Sequence, residues 1–141
     1  MGLILCNTYI TSFSSTEKII RIIHGVKPLS HTDPLFLQSC ILKVKEIYFY
    51  NLALFMYKYN LSLLPSMFQE MFTLNRDIHT YATRLSKHFH VPACRTNISK
   101  MSLRYQGSVF WNKLLVCIDI ECSIGTFKKR VKANLMNNSQ T

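Results

Sequence analysis

The chain has 141 residues, of which 48% are hydrophobic, and a formal net charge of +10. This length and composition suit one folded domain with its own core and exclude an intrinsically disordered protein. The charge is uneven, because residues 1–75 contain six Lys/Arg and four Asp/Glu, whereas residues 76–141 contain eleven and three. The excess in the second half favours a polyanionic partner, nucleic acid before an anionic membrane surface.

The cysteines and the lengths of the apolar segments indicate the cellular compartment of the protein. Five cysteines without a Cys-x-x-Cys pair predict free thiols in a reducing environment, and therefore an intracellular protein of the nucleus or cytoplasm. The first residues lack the basic segment of a secretory signal, and the longest apolar run, 47–57, is too short to cross a bilayer. We therefore expect neither secretion nor a membrane partner. His88, His90 and Cys94 match no common zinc spacing, so we expect no metal and no cofactor.

The first half of the chain predicts helices. A capping box that begins at Ser14 predicts a first helix, which Gly25 ends. Asp33 as N-cap, followed by Pro34, predicts a second helix. Apolar residues at helical spacing predict a third helix over residues 44–60, with the aromatic side chains of 47–57 in the core.

The pattern changes after residue 76. A short helix after Pro65 is followed by polar–apolar alternation, which predicts two strands, over 78–84 and 100–105. Residues 85–98 between them form a long polar connection. Gly107 then opens a short helix that carries Trp111 into the core, and a last helix covers residues 124–137.

The predicted fold class is mainly α, of the α+β type. A helical, thumb-like bundle over residues 1–75 is followed by a basic tail over residues 76–141. The tail consists of a short antiparallel β-hairpin and C-terminal helices. We expect the two parts to form one continuous domain.

Basic and aromatic residues are interleaved in the tail. Arg76 through Lys113 includes seven Lys/Arg and a single acid, Asp77. Arginines beside flat rings such as Tyr81, Tyr105 and Trp111 suit a sugar-phosphate backbone whose bases can stack. A solvated basic face on a packed domain is the alternative interpretation of the same composition.

Short motifs follow one another in a recognisable order. The first half contains Lys18-Ile-Ile-Arg-Ile-Ile23, His31-Thr-Asp-Pro-Leu-Phe36 and Phe55-Met-Tyr-Lys58. The second half contains the following motifs: His79-x-Tyr81-x-Thr83-Arg84, Arg95-Thr96, Arg104-Tyr-Gln-Gly107, Trp111-Asn112-x-Leu114 and Phe127-Lys-Lys129. In this order, they resemble the thumb and post-thumb region of reverse transcriptases from LINE-type, jockey-like non-LTR retrotransposons.

The chain departs from that family at informative positions. Ser108 and Leu115 stand where the family motifs have proline. The catalytic palm is absent, because polymerisation needs metal ions held by aspartates, commonly an adjacent pair, and Asp33, Asp77 and Asp119 are isolated in the sequence. The chain therefore resembles a truncated retroelement copy or a fragment of one, and we expect it to be unable to polymerise DNA alone.

The resemblance implies a non-catalytic accessory region of an RNA-directed DNA polymerase that binds the backbone of a template–primer duplex. It also implies the missing palm as a partner, and the packing surface would remain as an apolar patch on the first helix or on 47–57. The candidate binding residues are Lys18, Arg21, Arg84, Arg95, Lys100 and Arg104.

Two alternatives stay open. Arg84 and Arg104 could instead brace a loop carbonyl or Asp77. The whole chain could be a co-opted or decayed structural or interaction protein with no catalytic role. A stand-alone enzyme is disfavoured, because the chain has no nucleophile elbow, phosphate loop or paired-acid motif.

Overall fold

Helices make up most of residues 15–78, 84–118 and 120–138, which the computed structural model describes. The mainly helical class is therefore confirmed. In chain order, the elements are α1 (15–23), α2 (Asp33–Gln38), α3 (Val44–Asn60), a 3₁₀ turn (Ser66–Phe68), α4 (Asn75–Ile78), α5 (Asn97–Lys100), α6 (Leu103–Cys117) and α7 (Ile124–Asn138). The chain divides into two compact units, one of residues 1–48 with 132–141 and the other of residues 49–131.

Gly25 ends α1 in the first unit, as predicted. Its φ of 60° lies in the left-handed region that a glycine adopts without steric cost. The amide of Val26 donates to the carbonyl of Arg21 at 3.1 Å, and the amide of Gly25 donates to that of Ile22 at 3.1 Å. These bonds satisfy the last carbonyl groups of the helix. The predicted capping residue Ser14 lies outside the described residues.

The N-cap of α2 is Thr32, so the prediction of Asp33 at this position is wrong by one residue. The carbonyl of Thr32 accepts from the amides of Leu35 and Phe36 at 3.0 and 3.1 Å. Asp33 is the first helical residue, and its carboxylate instead forms an ion pair with Lys43 at 2.7 Å. The charged hydrogen bond from Lys43 lowers the pKa of Asp33.

The core of the second unit forms where α3, α6 and α7 contribute buried apolar side chains. Tyr57 of α3 stacks on Phe127 of α7 with ring centroids 4.3 Å apart, and its hydroxyl donates to the carbonyl of Cys122 at 2.5 Å. Trp111 is only 2% exposed, which confirms its predicted core position. The prediction that every aromatic residue of 47–57 is buried is wrong, because Tyr48 is 43% exposed.

The predicted β-hairpin does not form, because its second strand is helical. Residues 103–105 are the first turn of α6, and Lys100 ends α5. Of the first strand, residues 79–83 lie outside the described residues, and Ile78 ends α4. The described residues contain no strand, and their β-type pairing is the single antiparallel bridge between Leu74 and Phe89.

The physical reason for this difference lies in α6. The Ser102 side chain caps the helix by accepting from the amide of Tyr105 at 3.3 Å, so the apparent alternation over 101–105 is the start of a helix. The predicted helix start at Gly107 is also wrong, because Gly107 and Ser108 lie buried inside α6. Neither Ser108 nor Leu115 interrupts α6, whereas a proline at either position would remove a backbone hydrogen bond.

Candidate nucleic-acid interface

A short antiparallel pairing holds the polar connection that follows residue 84. The amide of Asn75 donates to the carbonyl of His88 at 3.0 Å, and the amide of His90 donates to that of Thr73 at 2.8 Å. These bonds flank the bridge between Leu74 and Phe89. The N–H and C=O of Phe89 are not used in this pairing, as expected where ladder bonds alternate between the two sides of an antiparallel chain.

Asn112 of α6 binds those two backbone groups. Its side-chain oxygen accepts from the Phe89 amide at 2.9 Å, and its side-chain nitrogen donates to the Phe89 carbonyl at 2.7 Å. The carboxamide thus takes the place of a peptide group of a neighbouring strand. Because Phe89 is only 4% exposed, both bonds satisfy polar groups that water reaches poorly. Asn112 therefore anchors the polar connection, residues 85–98, to α6.

An aromatic cluster of Tyr59, Phe72 and Phe89 supports the same connection. Their ring centroids lie 4.8 Å (Tyr59–Phe72), 5.6 Å (Tyr59–Phe89) and 5.4 Å (Phe72–Phe89) apart. The Tyr59 hydroxyl lies 2.7 Å from the carbonyl oxygen of Gln69 and 3.0 Å from that of Phe72. An open pocket of about 550 Å³ borders the cluster. The cluster therefore gives the connection a packed base.

Side-chain caps fix the junction between α5 and α6, which we define as residues 95–106. The Thr96 hydroxyl accepts from the amide of Ser99 at 3.2 Å and so caps α5. Ser102 caps α6, and the Gln106 side chain donates to the carbonyl of Lys100 at 2.8 Å. These bonds order the backbone of the α5–α6 junction without using a charged side chain.

Three of the predicted binding residues belong to the α5–α6 junction. Arg95, Lys100 and Arg104 are exposed, and none of the three side chains forms a hydrogen bond or ion pair with another described residue. The sequence has no acidic residue between Asp77 and Asp119. Their positive charge is therefore available to an external anion.

Arg84 is also exposed, and it lies next to residues 79–83, which are outside the described part of the chain. Within the described residues, Asp77 pairs with Arg76 at 3.6 Å and not with Arg84. Asp77 also accepts from the amide of Leu74 at 3.3 Å. The alternative in which Arg84 or Arg104 braces Asp77 is thus not formed among the described residues.

The two candidates on α1 belong to the other unit. Arg21 is half-buried, donates from Nε to the carbonyl of Ser30 at 3.0 Å and pairs with Glu17 at 3.5 Å. It therefore braces the turn after α1, which is the structural role that had been considered for Arg84 and Arg104. Lys18 is exposed, and it forms no bond with another described residue.

Sequence reasoning missed the anchoring role of Asn112. Its only signal was its place in the Trp111-Asn112 motif, since a carboxamide that bridges a distant backbone leaves no periodic pattern. The candidate set also left out the basic face of α7, where Lys128 and Lys129 are exposed. The aromatic residues contribute less than their composition indicated. Trp111 is buried, Tyr105 is half-buried and Tyr81 lies outside the described residues.

The described residues hold no group of three His, Cys, Asp or Glu side chains that could bind a metal ion. No disulfide bond joins any two of the described cysteines, which are Cys40, Cys94, Cys117 and Cys122. None of the helices in the described ranges combines the length and the apolar character that a bilayer span requires.

Comparisons of the chain with protein-family models, with curated proteins and with solved structures find no match.

Proposed function

We propose that the chain binds the sugar-phosphate backbone of a nucleic-acid duplex and catalyses no reaction. The observation that carries this proposal is the α5–α6 junction. It presents Arg95, Lys100 and Arg104, exposed and unpaired among the described residues, in a stretch of sequence without acids. Backbone contacts of this kind position a protein on a duplex and read no sequence.

The proposed partner is the template–primer duplex of an RNA-directed DNA polymerase. The ordered motifs that resemble a retrotransposon thumb and tail support this choice, together with the mainly helical architecture. In this proposal, the described helices form a thumb-like accessory region, and the catalytic palm of the parent polymerase is a second partner. Binding requires cations on ordered helices, which the junction supplies, and needs no reaction centre.

Salt dependence tests the proposal. We would measure binding of a fluorescent RNA–DNA duplex by anisotropy at several potassium chloride concentrations. Each phosphate that the protein neutralises contributes roughly 0.7–0.9 to the slope of log affinity against log salt. Replacing Arg95, Lys100 and Arg104 with Ala should flatten this slope by about 2 and weaken binding equally for unrelated sequences.

A matched control removes the same charge elsewhere. Lys27, Lys45 and Lys132 are exposed and belong to the other unit, and their side chains form no hydrogen bond or ion pair with another described residue. Their triple Ala variant should keep most of the parent slope. Circular dichroism must show that both variants remain helical. If the two triple variants bind alike at every salt concentration, the junction is not the binding surface, and the net charge alone accounts for binding.

A second candidate is an interaction protein without catalytic role. The observation that favours it is α1, where Ile19, Ile22 and Ile23 are 55%, 77% and 65% exposed. Such a patch is typical of a protein–protein contact. An absence of duplex binding by the folded parent chain at low salt would leave this candidate as the better interpretation.

A further inference from the structure

Two large apolar side chains of the α5–α6 junction are more than 70% exposed and lie among its cations in the sequence. Ile98 is 83% exposed and Met101 is 73% exposed. They lie one helical turn apart, and the amide of Met101 donates to the carbonyl of Ile98 at 3.0 Å. In the sequence, Arg95 precedes this pair, Lys100 lies within it and Arg104 follows it.

We propose that Ile98 and Met101 form an apolar wedge that enters the minor groove of the bound duplex and partly unstacks adjacent base pairs. This inference rests on the proposed function. Proteins that bend a duplex from the minor groove insert side chains of this kind, including Ile and Met, between base steps. The shallow minor groove of an A-like hybrid duplex gives such side chains access to the base edges.

Neighbouring charge distinguishes this pair from one other exposed apolar pair of the second unit. Leu63 and Met67 are similarly exposed, at 64% and 79%. They lie in residues 59–75, which contain no Lys or Arg. A phosphate backbone would attract the cations at the junction and bring Ile98 and Met101 to the groove, whereas nothing in residues 59–75 would do so for Leu63 and Met67.

The capped backbone of the α5–α6 junction suits the insertion of Ile98 and Met101 between base pairs. Inserting a side chain between base pairs costs free energy of unstacking, which is recovered only if the inserted group is held in place. Thr96 caps the helix that carries Ile98, and Gln106 holds the carbonyl of Lys100 at 2.8 Å, next to Met101. The two apolar side chains are therefore presented from an ordered segment.

Fluorescence of 2-aminopurine tests the wedge. The full chain would be titrated against an RNA–DNA duplex with 2-aminopurine in the DNA strand, because unstacking raises the emission of this base. Binding of the parent chain should raise it. Ile98→Ser with Met101→Ser should abolish the rise and weaken binding about tenfold, from the lost apolar burial. The salt slope should stay unchanged, because no charge is removed. Leu63→Ser with Met67→Ser is the matched control and should behave as the parent.

The outcomes separate the two proposals. If the parent binds with a steep salt slope but emission does not rise, the wedge is wrong and backbone binding stands. The same conclusion follows if emission rises equally for the parent and the Ile98/Met101 variant. If the parent does not bind the duplex, both proposals fail. Since both substituted residues are exposed, each variant should fold, and circular dichroism would verify this.

Discussion

Replacement of Asn112 with Asp should destabilise the chain in a pH-dependent manner. The Asn112 side chain forms two hydrogen bonds, one from the Phe89 amide at 2.9 Å and one to the Phe89 carbonyl at 2.7 Å. An ionised Asp keeps the first bond but places a negative oxygen against the carbonyl oxygen of Phe89. The carboxylate cannot donate, so the second bond becomes a repulsion.

The magnitude follows from the burial of Phe89, which is 4% exposed. A buried polar group that loses its partner costs about 1–3 kcal/mol, and the repulsion adds to it, so we expect a loss of about 2–4 kcal/mol at pH 7. This is a large part of the typical total stability of about 5–15 kcal/mol. Asn112→Ala should lose a similar amount at every pH, because both bonds vanish and no titratable group is added.

The stability of this variant should change with pH in the direction opposite to that caused by most acidic residues. In the folded Asn112→Asp variant, the carbonyl of Phe89 disfavours the charged form, which raises the pKa above its unfolded value of about 3.9. Protonation restores a donor. The variant should therefore regain stability as the pH falls through the folded pKa, and the gain should be complete below about pH 3.9.

Urea denaturation at several pH values between 4 and 7 measures this effect. Asn51→Asp is the reference, because Asn51 is exposed on α3 and its side chain forms no hydrogen bond with another described residue. The quantity of interest is the difference between the two Asp variants, which cancels the general acid response of the chain. A constant difference across this pH range would refute the carboxamide bridge, as would full stability of Asn112→Ala at pH 7.

Two further predictions concern packing and charge. A Cβ added at Gly107 would lie 3.0 Å from the ring of Phe72, whereas one at Gly125 would meet nothing within 4 Å. Thermal denaturation should therefore show Gly107→Ala destabilised by about 1–3 kcal/mol, and Gly125→Ala unchanged or stabilised by up to about 1 kcal/mol; equal effects would contradict the packing around α6. The Lys43 hydrogen bond lowers the pKa of Asp33 below its ordinary value of 3.8, so this pair should stabilise the chain above that pH and lose its effect as the pH falls through the lowered value. Because the Asp33 side chain is 44% exposed, Asp33→Asn should cost less than about 1 kcal/mol at pH 7, and urea denaturation should show this cost shrinking as the pH falls through the lowered pKa.

Periodicity predicted the long helices well. The expected helix over 44–60 is α3, Val44–Asn60, and the expected helix over 124–137 is α7, Ile124–Asn138. Each has several turns of regularly spaced apolar residues, which is the signal that sequence reasoning reads best. Gly25 was also predictable, because a left-handed helix end favours glycine.

Short segments were misread for a physical reason. Over residues 101–105, alternation at three apolar positions fits a strand, but it also fits the first turn of a helix that Ser102 caps. The decision between them depends on residues further along, where Ser108 and Leu115 allow α6 to continue.

The charge of the candidate site was predictable from the sequence, but the contacts that hold it in the fold were not. A stretch of sequence without acidic residues points to Arg95, Lys100 and Arg104, because charged side chains are mostly exposed in folded proteins. The bond from Arg21 to the carbonyl of Ser30 joins residues nine apart, and the bridge from Asn112 to Phe89 joins residues twenty-three apart. Contacts at such separation depend on the packed fold and leave no local pattern in the sequence.

The continuity of α6 and the anchoring of the polar connection over residues 85–98 have a common structural basis. A continuous α6 places Trp111 and Leu114 on its buried side, at 2% and 4% exposure, and this orientation directs the neighbouring Asn112 to Phe89. Ser108 is fully buried, and its hydroxyl donates to the carbonyl of Arg104 at 3.0 Å, so this side chain leaves no unsatisfied group. A proline at 108 would remove this bond and kink the helix between its cap and its core residues. The continuous helix α6 therefore joins the α5–α6 junction, the core and the polar connection within the second unit. Ser108 and Leu115 are therefore consistent with the continuous helix that presents the candidate binding surface.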